Sequence, residues 1–239
     1  MTSKKGVSHI EMVVSFMLFA SFVFFLLFFL NPVRNQDISD VLLDAVQNSL
    51  QSNATIQLIE MPLNIKAGFE NCFTIPNPFD TSNRANILAK DSNGRVSKTA
   101  LDSGSLKIEK GASGQSYYYL YYGSVIFTIP ELQMISCNVL NISNYKYAAS
   151  RVYEVLYLPK LEGVARAYSS DYTKLRGSFN FPLSYDFSAE IIDSATKQKI
   201  ISMSTSKPEK VEVNARELPA EIMRENGEVF QATINMQVW

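Results

Sequence analysis

The longest apolar segment of the chain covers residues 12–30 and contains no charged side chain. Ser15 and Ser21 are its only polar residues, and phenylalanines occur on every side of the helix that this pattern predicts. At about 1.5 Å per residue such a helix is about 28 Å long, close to the hydrocarbon thickness of a bilayer. The pattern therefore predicts a helix that spans a membrane.

A second helix is predicted over residues 37–51, after Pro32 has ended or kinked the first one. Apolar and small side chains recur there at helical spacing and form one stripe, which comprises Ile38, Val41, Leu42, Ala45, Val46, Ser49 and Leu50. Acidic and amide side chains lie off this stripe. We expect the stripe to pack against a sheet.

The remainder of the chain alternates mostly with period two, which is typical of half-buried strands. The final strand is the clearest, with apolar residues at positions 230, 232, 234, 236 and 238. Further strands are predicted at 151–158, 187–191 and 211–216, and hairpin turns at Asn93-Gly94 and Asn226-Gly227.

Three other local features are predicted from the same patterns. A hairpin joins residues 117–122 to residues 125–129 through Gly123-Ser124, and the tyrosines of its first strand belong to the core or to a sheet face. A single helix carries an apolar stripe over residues 161–175 and ends at Gly177. Residues 103–116, rich in serine and glycine, form a loop.

Together these elements predict an α+β fold. An N-terminal transmembrane helix continues into an amphipathic helix, and both occupy residues 7–50. A mainly antiparallel β-sheet domain then covers residues 51–239 outside the membrane. The sequence leaves open whether this domain divides into two near residues 144–150.

The residues just before the apolar segment form a basic leader. Lys4 and Lys5 precede Gly6, and Glu11 lies at the start of the apolar helix. A secretory signal peptide is cut behind its apolar core at small residues, but the core here is followed by Asn31-Pro32-Val33-Arg34. The predicted cut therefore lies before the core, after Gly6, and residues 1–6 form the leader.

This arrangement resembles the class III signal peptide of type IV pilins, pseudopilins and archaeal pilin-like proteins. In those families a prepilin peptidase cuts after a glycine that follows basic residues, and a glutamate often occupies the fifth position after the cut. Lys4, Lys5, Gly6 and Glu11 match by position if Val7 becomes the first residue. Val7 replaces the phenylalanine or methionine of bacterial pilins, and the style of the leader indicates an archaeal source.

The resemblance implies a role in assembly for Val7 and Glu11. In pilin-like filaments the glutamate of one subunit is thought to pair with the N-terminal amine of its neighbour, and an α-amine is mostly protonated at neutral pH. The alternative left open by the residues is an uncleaved single-pass anchor whose Glu11 reaches the headgroup layer.

The charges that flank the apolar segment predict its orientation. Lys4 and Lys5 precede it, and only Arg34 follows closely. Because basic flanks stay in the cytoplasm, we expect a single-pass protein of the cell membrane with a cytoplasmic N-terminus and an outer domain.

Composition excludes several other classes of function. Lys and Arg total 22 against 23 Asp and Glu, so no basic surface for nucleic acid is indicated. The single histidine, His9, precedes the apolar segment, which leaves the outer domain without histidine for catalysis or zinc. No nucleotide-binding, hydrolase or metalloprotease motif occurs. We therefore expect no enzyme, no cofactor and no metal site.

Cys72 and Cys137 are the only cysteines of the chain. A disulfide would persist on the outer side of the membrane. Their spacing does not distinguish a disulfide from two separate buried thiols, and we expect the disulfide.

The predicted function is that of a pilin-like subunit that is anchored in the membrane and assembles into a cell-surface filament or a secretion or adhesion apparatus. Its expected partners are membrane lipid, a prepilin peptidase, copies of itself or other pilin-like subunits, and an assembly platform. The alternatives are an anchored outer protein that binds a ligand or partner without polymerising and, third, an anchored enzyme.

Overall fold

The computed structural model describes residues 5–29, 35–66, 71–79, 81–110, 116–129, 131–133, 136–205, 209 and 211–239. Helices α1 (Lys5–Phe29) and α2 (Asn35–Ala54) come first. The strands that follow are β1 (Thr55–Ile65), β2 (Cys72–Pro76), β3 (Ile87–Asp91), β4 (Val96–Ser97), β5 (Thr99–Asp102), β6 (Ser105–Glu109), β7 (Tyr117–Gly123), β8 (Asn138–Val139), β9 (Tyr145–Tyr147) and β10 (Arg151–Tyr157).

The last part of the chain contains two helices and four strands: α3 (Leu158–Ser170), α4 (Tyr172–Ser178), β11 (Phe187–Asp193), β12 (Lys199–Met203), β13 (Asn214–Met223) and β14 (Val229–Val238). Short 3-10 turns occur at Arg84–Asn86 and Ile142–Asn144. The four described helices and the mostly antiparallel sheets confirm the predicted α+β class.

One sheet of ten strands organises the domain. Its order is β12-β11-β14-β13-β10-β1-β7-β3-β4, and β9 also pairs with β1. Strands β10 and β13 are its one described parallel pair, and they pair only at Leu156 with Ile222 and Tyr157 with Met223. A smaller sheet has the order β5-β6-β2-β8. The interval 144–150 contains β9 and ends where β10 begins; both strands pair with β1, so the large sheet continues across it.

Two different layers cover one face of the large sheet. Cross-strand partners share a face, so Leu156 of β10 lies on the same side as Thr55, Leu63 and Ile65 of β1. Leu156 packs among the helices, whereas Leu63 and Ile65 pack against the small sheet. The helices therefore cover the C-terminal half of the sheet, and the small sheet covers the N-terminal half.

Helix α2 confirms the predicted amphipathic helix but buries a different stripe. Its most buried side chains are Leu42, Leu43, Val46, Leu50 and Ala54, all at most 4% exposed. Ile38 and Val41 are 43% and 66% exposed, so their assignment to the stripe was wrong. The helix is rotated toward α3 and β14, and Arg216 of β13 binds the carboxylates of Asp40 and Asp44 on its other side.

The prediction of a hairpin over residues 117–129 is wrong for its second strand. Residues 125–129 form no strand, because β7 already has β1 on one edge and β3 on the other. The segment instead crosses the sheet: Phe127 donates its amide to the Ala85 carbonyl at 2.7 Å, and its ring is buried.

Three further local predictions need correction. The helix predicted over residues 161–175 is two helices, since Asp171 ends α3 and its carboxylate caps α4 by accepting from the Lys174 amide. The loop predicted at 103–116 contains β6, which pairs with β5 and β2. Val211 and Val213 precede β13 and are 40% and 39% exposed, so they form no inward face of a strand.

Candidate functional site

The residues predicted for processing and assembly lie at the start of α1. Lys4 lies outside the described residues. Lys5, Gly6 and Val7 form the first positions of α1, and their side chains lie outside the described part of the structure. Glu11 follows one turn later on the same helix, with an exposed side chain.

The described side chains of α1, residues 10–25, leave a large apolar surface exposed. The large apolar ones other than Val23 are between 50% and 73% exposed, on every side of the helix. An apolar surface of this extent marks contact with a partner or a membrane.

Within the part of the chain that the structure describes, no helix combines the length and the apolar character that crossing a membrane requires.

A disulfide joins Cys72 to Cys137, with their Cα atoms 5.0 Å apart. Cys72 is the first residue of β2, and Cys137 directly precedes β8, whose Asn138 pairs with Phe73. The bridge therefore lies beside the two-residue parallel pairing that holds β8 on the edge of the small sheet.

A charged cluster lies on the opposite face of the large sheet. Arg151 donates from Nε to Oε1 of Glu60 at 2.9 Å, and its Nη2 lies 2.9 Å from the same oxygen in the ion pair. Glu60 is only 2% exposed, and its cross-strand neighbours are Arg151 on β10 and Tyr121 on β7. The ammonium of Lys90, itself buried, lies 5.4 Å from the centre of the Tyr121 ring. Four neighbouring strands thus contribute to one polar cluster.

The buried position of this cluster changes the acidity of its members. Burial raises the pKa of the Tyr121 phenol, and the charge of Glu60 adds to that shift. Burial lowers the pKa of the Lys90 ammonium, and the carboxylates of Glu228 and Glu60 oppose this shift. The ion pair between the buried Glu60 and the 69% exposed Arg151 side chain joins β1 to β10 at this cluster.

Sequence reasoning missed this cluster, although the pattern of β1 contains a signal for it. Ile56, Leu58 and Glu60 lie on one face of the strand, and all three are buried. A charge at a position where the alternation expects an apolar residue indicates a partner of opposite charge, here Arg151, whose side chain is 69% exposed.

A groove crosses the middle of the large sheet on the face that carries the helices. It encloses about 730 Å³ and is lined by β1, β7 and β10, with Ser52 and Lys160 on the helix side. Ile59 and Val152 are cross-strand neighbours in its floor and are 42% and 64% exposed. An apolar pair on central strands is normally covered by another layer of the protein, so this groove is a candidate contact surface.

Two polar side chains of the groove lining, Gln57 and Lys160, already have partners. Glu154 accepts from Nε2 of Gln57 at 2.7 Å, and the Lys160 ammonium donates to the Thr55 carbonyl at 3.0 Å. Such an arrangement suits binding through an apolar strip with polar margins.

Comparison of the chain with protein-family models, with curated proteins and with solved structures gives no match in any of the three.

Proposed function

We propose that this chain is a pilin-like subunit, held in the cell membrane by α1, that assembles into a cell-surface filament or a secretion or adhesion apparatus. Its partners are membrane lipid, a prepilin peptidase, an assembly platform and copies of itself or of other pilin-like subunits. The chemistry of the N-terminal residues and the exposure of α1 support this proposal.

The observation that carries the proposal is the exposure of apolar side chains on all sides of α1. Ile10, Phe16 and Phe22 lie about 120° apart around the helix axis and are 68%, 70% and 57% exposed. A helix that packs on a soluble domain buries one apolar stripe, as α2 does. Because α1 has no polar face over these residues, lipid or packed helices of other subunits suit it better than water.

The second support is the position of Glu11. A charge in the middle of a membrane span costs about 3 kcal/mol, and less near its end. Glu11 is the one acidic residue before Asp37, and it precedes the uncharged run. The α-amine that cleavage after Gly6 creates would supply a partner of opposite charge, so the pair would fix the axial register of neighbouring subunits.

The groove over Ile59 and Val152 favours a second candidate, a membrane-anchored outer protein that binds a ligand or partner and does not polymerise. An exposed apolar pair on central strands needs a covering partner, and a bound peptide or protein would supply one.

We predict that the mature chain starts at Val7, because the glycine that follows two lysines lies directly ahead of the apolar segment. N-terminal sequencing of the protein from membranes of its native host measures this. A chain that retains residues 1–6, or one cut behind residue 30, would contradict the pilin-like proposal.

Replacing Glu11 with Ala is expected to leave membrane insertion intact and to abolish assembly. The substitution makes the inserted helix more apolar, and it removes the charge that pairs with the neighbouring amine. The yield of sheared filaments and the amount in the membrane fraction are measured together.

Ser15→Ala is the matched control, because it changes a polar residue one turn further along the same helix. It should assemble like the natural chain. Normal assembly of Glu11→Ala would show that the carboxylate only reaches the headgroup layer and would favour the non-polymerising alternative.

A further inference from the structure

One end of the large sheet carries a group of exposed apolar side chains. Trp239 and Asp186 exchange both backbone hydrogen bonds, at 2.8 Å and 3.0 Å, and Val238 pairs with Asn214. The end of β14 and the starts of β11 and β13 therefore meet at this end. Side chains from α2 and from these strand ends line a hollow of about 260 Å³ there, among them Ile38, Tyr185, Val211 and Trp239.

The exposed residues come from three separate stretches of the chain. Leu183 is 77% exposed, and Ile38, Val211 and Val213 are between 39% and 43% exposed. Leu183 precedes β11 by a few residues, and Val213 directly precedes β13, so both lie at the same end as Trp239. We call this group the basal surface; it comprises the exposed Ile38, Leu183, Val211 and Val213, together with the half-buried Tyr185 and with Trp239, which is 9% exposed and lines the hollow. Single exposed apolar residues are ordinary, but a group that converges from distant positions marks a contact surface.

The basal surface lies where the chain arrives from α1. Helix α1 ends at Phe29 and α2 starts at Asn35, so six residue steps separate the two ends. A fully extended chain covers at most about 22 Å in six steps. The start of α2 therefore stays within that distance of the end of the apolar helix, and Ile38, three residues further along α2, within about 27 Å.

The chemistry of the surface suits the boundary between headgroups and acyl chains. Tyr185, which is half-buried and lines the hollow, combines an apolar ring with a polar tip, and tyrosine is enriched at membrane interfaces. Two of the acidic neighbours have partners: Asp186 accepts from Arg176 at 3.1 Å and from the Tyr172 hydroxyl at 3.0 Å, and Asp40 binds Arg216. Glu212 also lines the hollow and is exposed. Apolar insertion, rather than attraction to anionic lipid, would then hold this end of the domain.

We propose that the basal surface rests in the headgroup layer of the membrane in which α1 is anchored, so that the domain is oriented on the bilayer rather than freely tethered. This inference depends on the proposed membrane anchor. It adds a defined lipid contact of the folded domain and names the side chains that make it.

Trp239 is the only tryptophan of the chain, so its fluorescence reports on this surface without any labelling. The full chain is reconstituted into phosphatidylcholine vesicles with and without bromine atoms near the start of the acyl chains. Bromine quenches only at short range. We expect a loss of Trp239 emission in the brominated vesicles, and the same loss when part of the lipid is replaced by anionic phosphatidylglycerol.

The variant Leu183→Asp with Val213→Asp should lose this quenching, because two charges would lie in the apolar boundary. Ile142→Asp is the matched control, since Ile142 is 84% exposed but lies beside the small sheet, and it should be quenched like the natural chain. Near-ultraviolet circular dichroism checks that each variant is folded.

The outcomes separate the two proposals. A chain that floats with the vesicles and resists carbonate extraction, but whose Trp239 is not quenched, overturns the basal contact and leaves the anchor intact. A chain that does not float overturns the membrane anchor itself. Quenching that persists in the Leu183→Asp, Val213→Asp variant overturns the assignment of these side chains to the contact.

Discussion

A chain that begins at Gln51 is expected to lose its cooperative fold, whereas a chain that begins at Asn35 should fold as a soluble domain. The first lacks most of α2, and with it Leu42, Leu43, Val46 and Leu50, which are at most 4% exposed. Burial of four such side chains contributes about 6–12 kcal/mol. Because small domains are stable by only about 5–15 kcal/mol, this loss is comparable with the total.

The two shortened chains are compared by urea unfolding followed by far-ultraviolet circular dichroism. A single substitution also tests the contribution of α2 to the core: Leu50→Ala should lower the unfolding free energy by about 2–5 kcal/mol. Val41→Ala is the matched control on the same helix, since Val41 is 66% exposed and should change stability little. Equal unfolding midpoints for the chains that begin at Asn35 and Gln51 would mean that α2 contributes no core.

Loss of the disulfide is the second large effect expected. Cys72 and Cys137 are 65 positions apart, so the bridge closes a long loop in the unfolded chain. In the chain-entropy model a loop of this length contributes about 4 kcal/mol to stability. Replacing both cysteines by Ser should lower the unfolding free energy by about that amount, with β8 and its edge of the small sheet loosened first.

Alkylation of native protein without reductant, followed by mass spectrometry, measures whether the bridge is present. The chain should take up no alkyl group until it is reduced and unfolded. Two alkylated cysteines in native material would contradict the pairing. The double variant is compared with Ser136→Ala, a neighbouring change that leaves both sulfur atoms in place, and equal stability of the two would assign the bridge no role in the fold.

Elements with an unbroken local pattern were predictable from the sequence. Strand β14 has the predicted inward face, with Ala232, Ile234, Met236 and Val238 all buried. The turns at Asn93-Gly94 and Asn226-Gly227 are both present, and Gly94 and Gly227 have φ values of 78° and 80°. These signals succeed because a two-fold period and a positive φ are properties of a few consecutive residues.

Predictions failed where distant parts of the chain compete for the same place. Residues 125–129 have the composition of a strand, but β1 and β3 occupy both edges of β7. The sequence of residues 117–129 alone contains no sign that these edges are occupied. Val211 and Val213 alternate like an inward face, yet they precede β13 and lie at the basal surface. The stripe of α2 is rotated because its orientation is set by α3, β14 and the ion pairs of Arg216.

The candidate surfaces also differ in whether their residues are close together in the sequence. The basic leader and Glu11 are visible in the sequence because they are consecutive. The basal surface is not visible there, since Ile38, Leu183 and Trp239 come together only through the pairing of β11, β13 and β14. Only the buried charge of Glu60 left a trace, as a break in the alternation of β1.

The central position of β1 is expected to determine the order in which its neighbouring strands pair during folding. Thr55 pairs with Leu156, about a hundred positions further along the chain, whereas Met61 pairs with Leu120. If the domain emerges on the outer side of a membrane with its N-terminal end first, the edge of β1 that pairs with β10 stays unpaired until β10 has also been translocated. Contacts of such high sequence separation close slowly, on the millisecond-to-second scale, because loop entropy is lost before they form. Folding is therefore expected to follow translocation, and shielding of the unpaired edge by a chaperone during that interval should raise the yield of native protein.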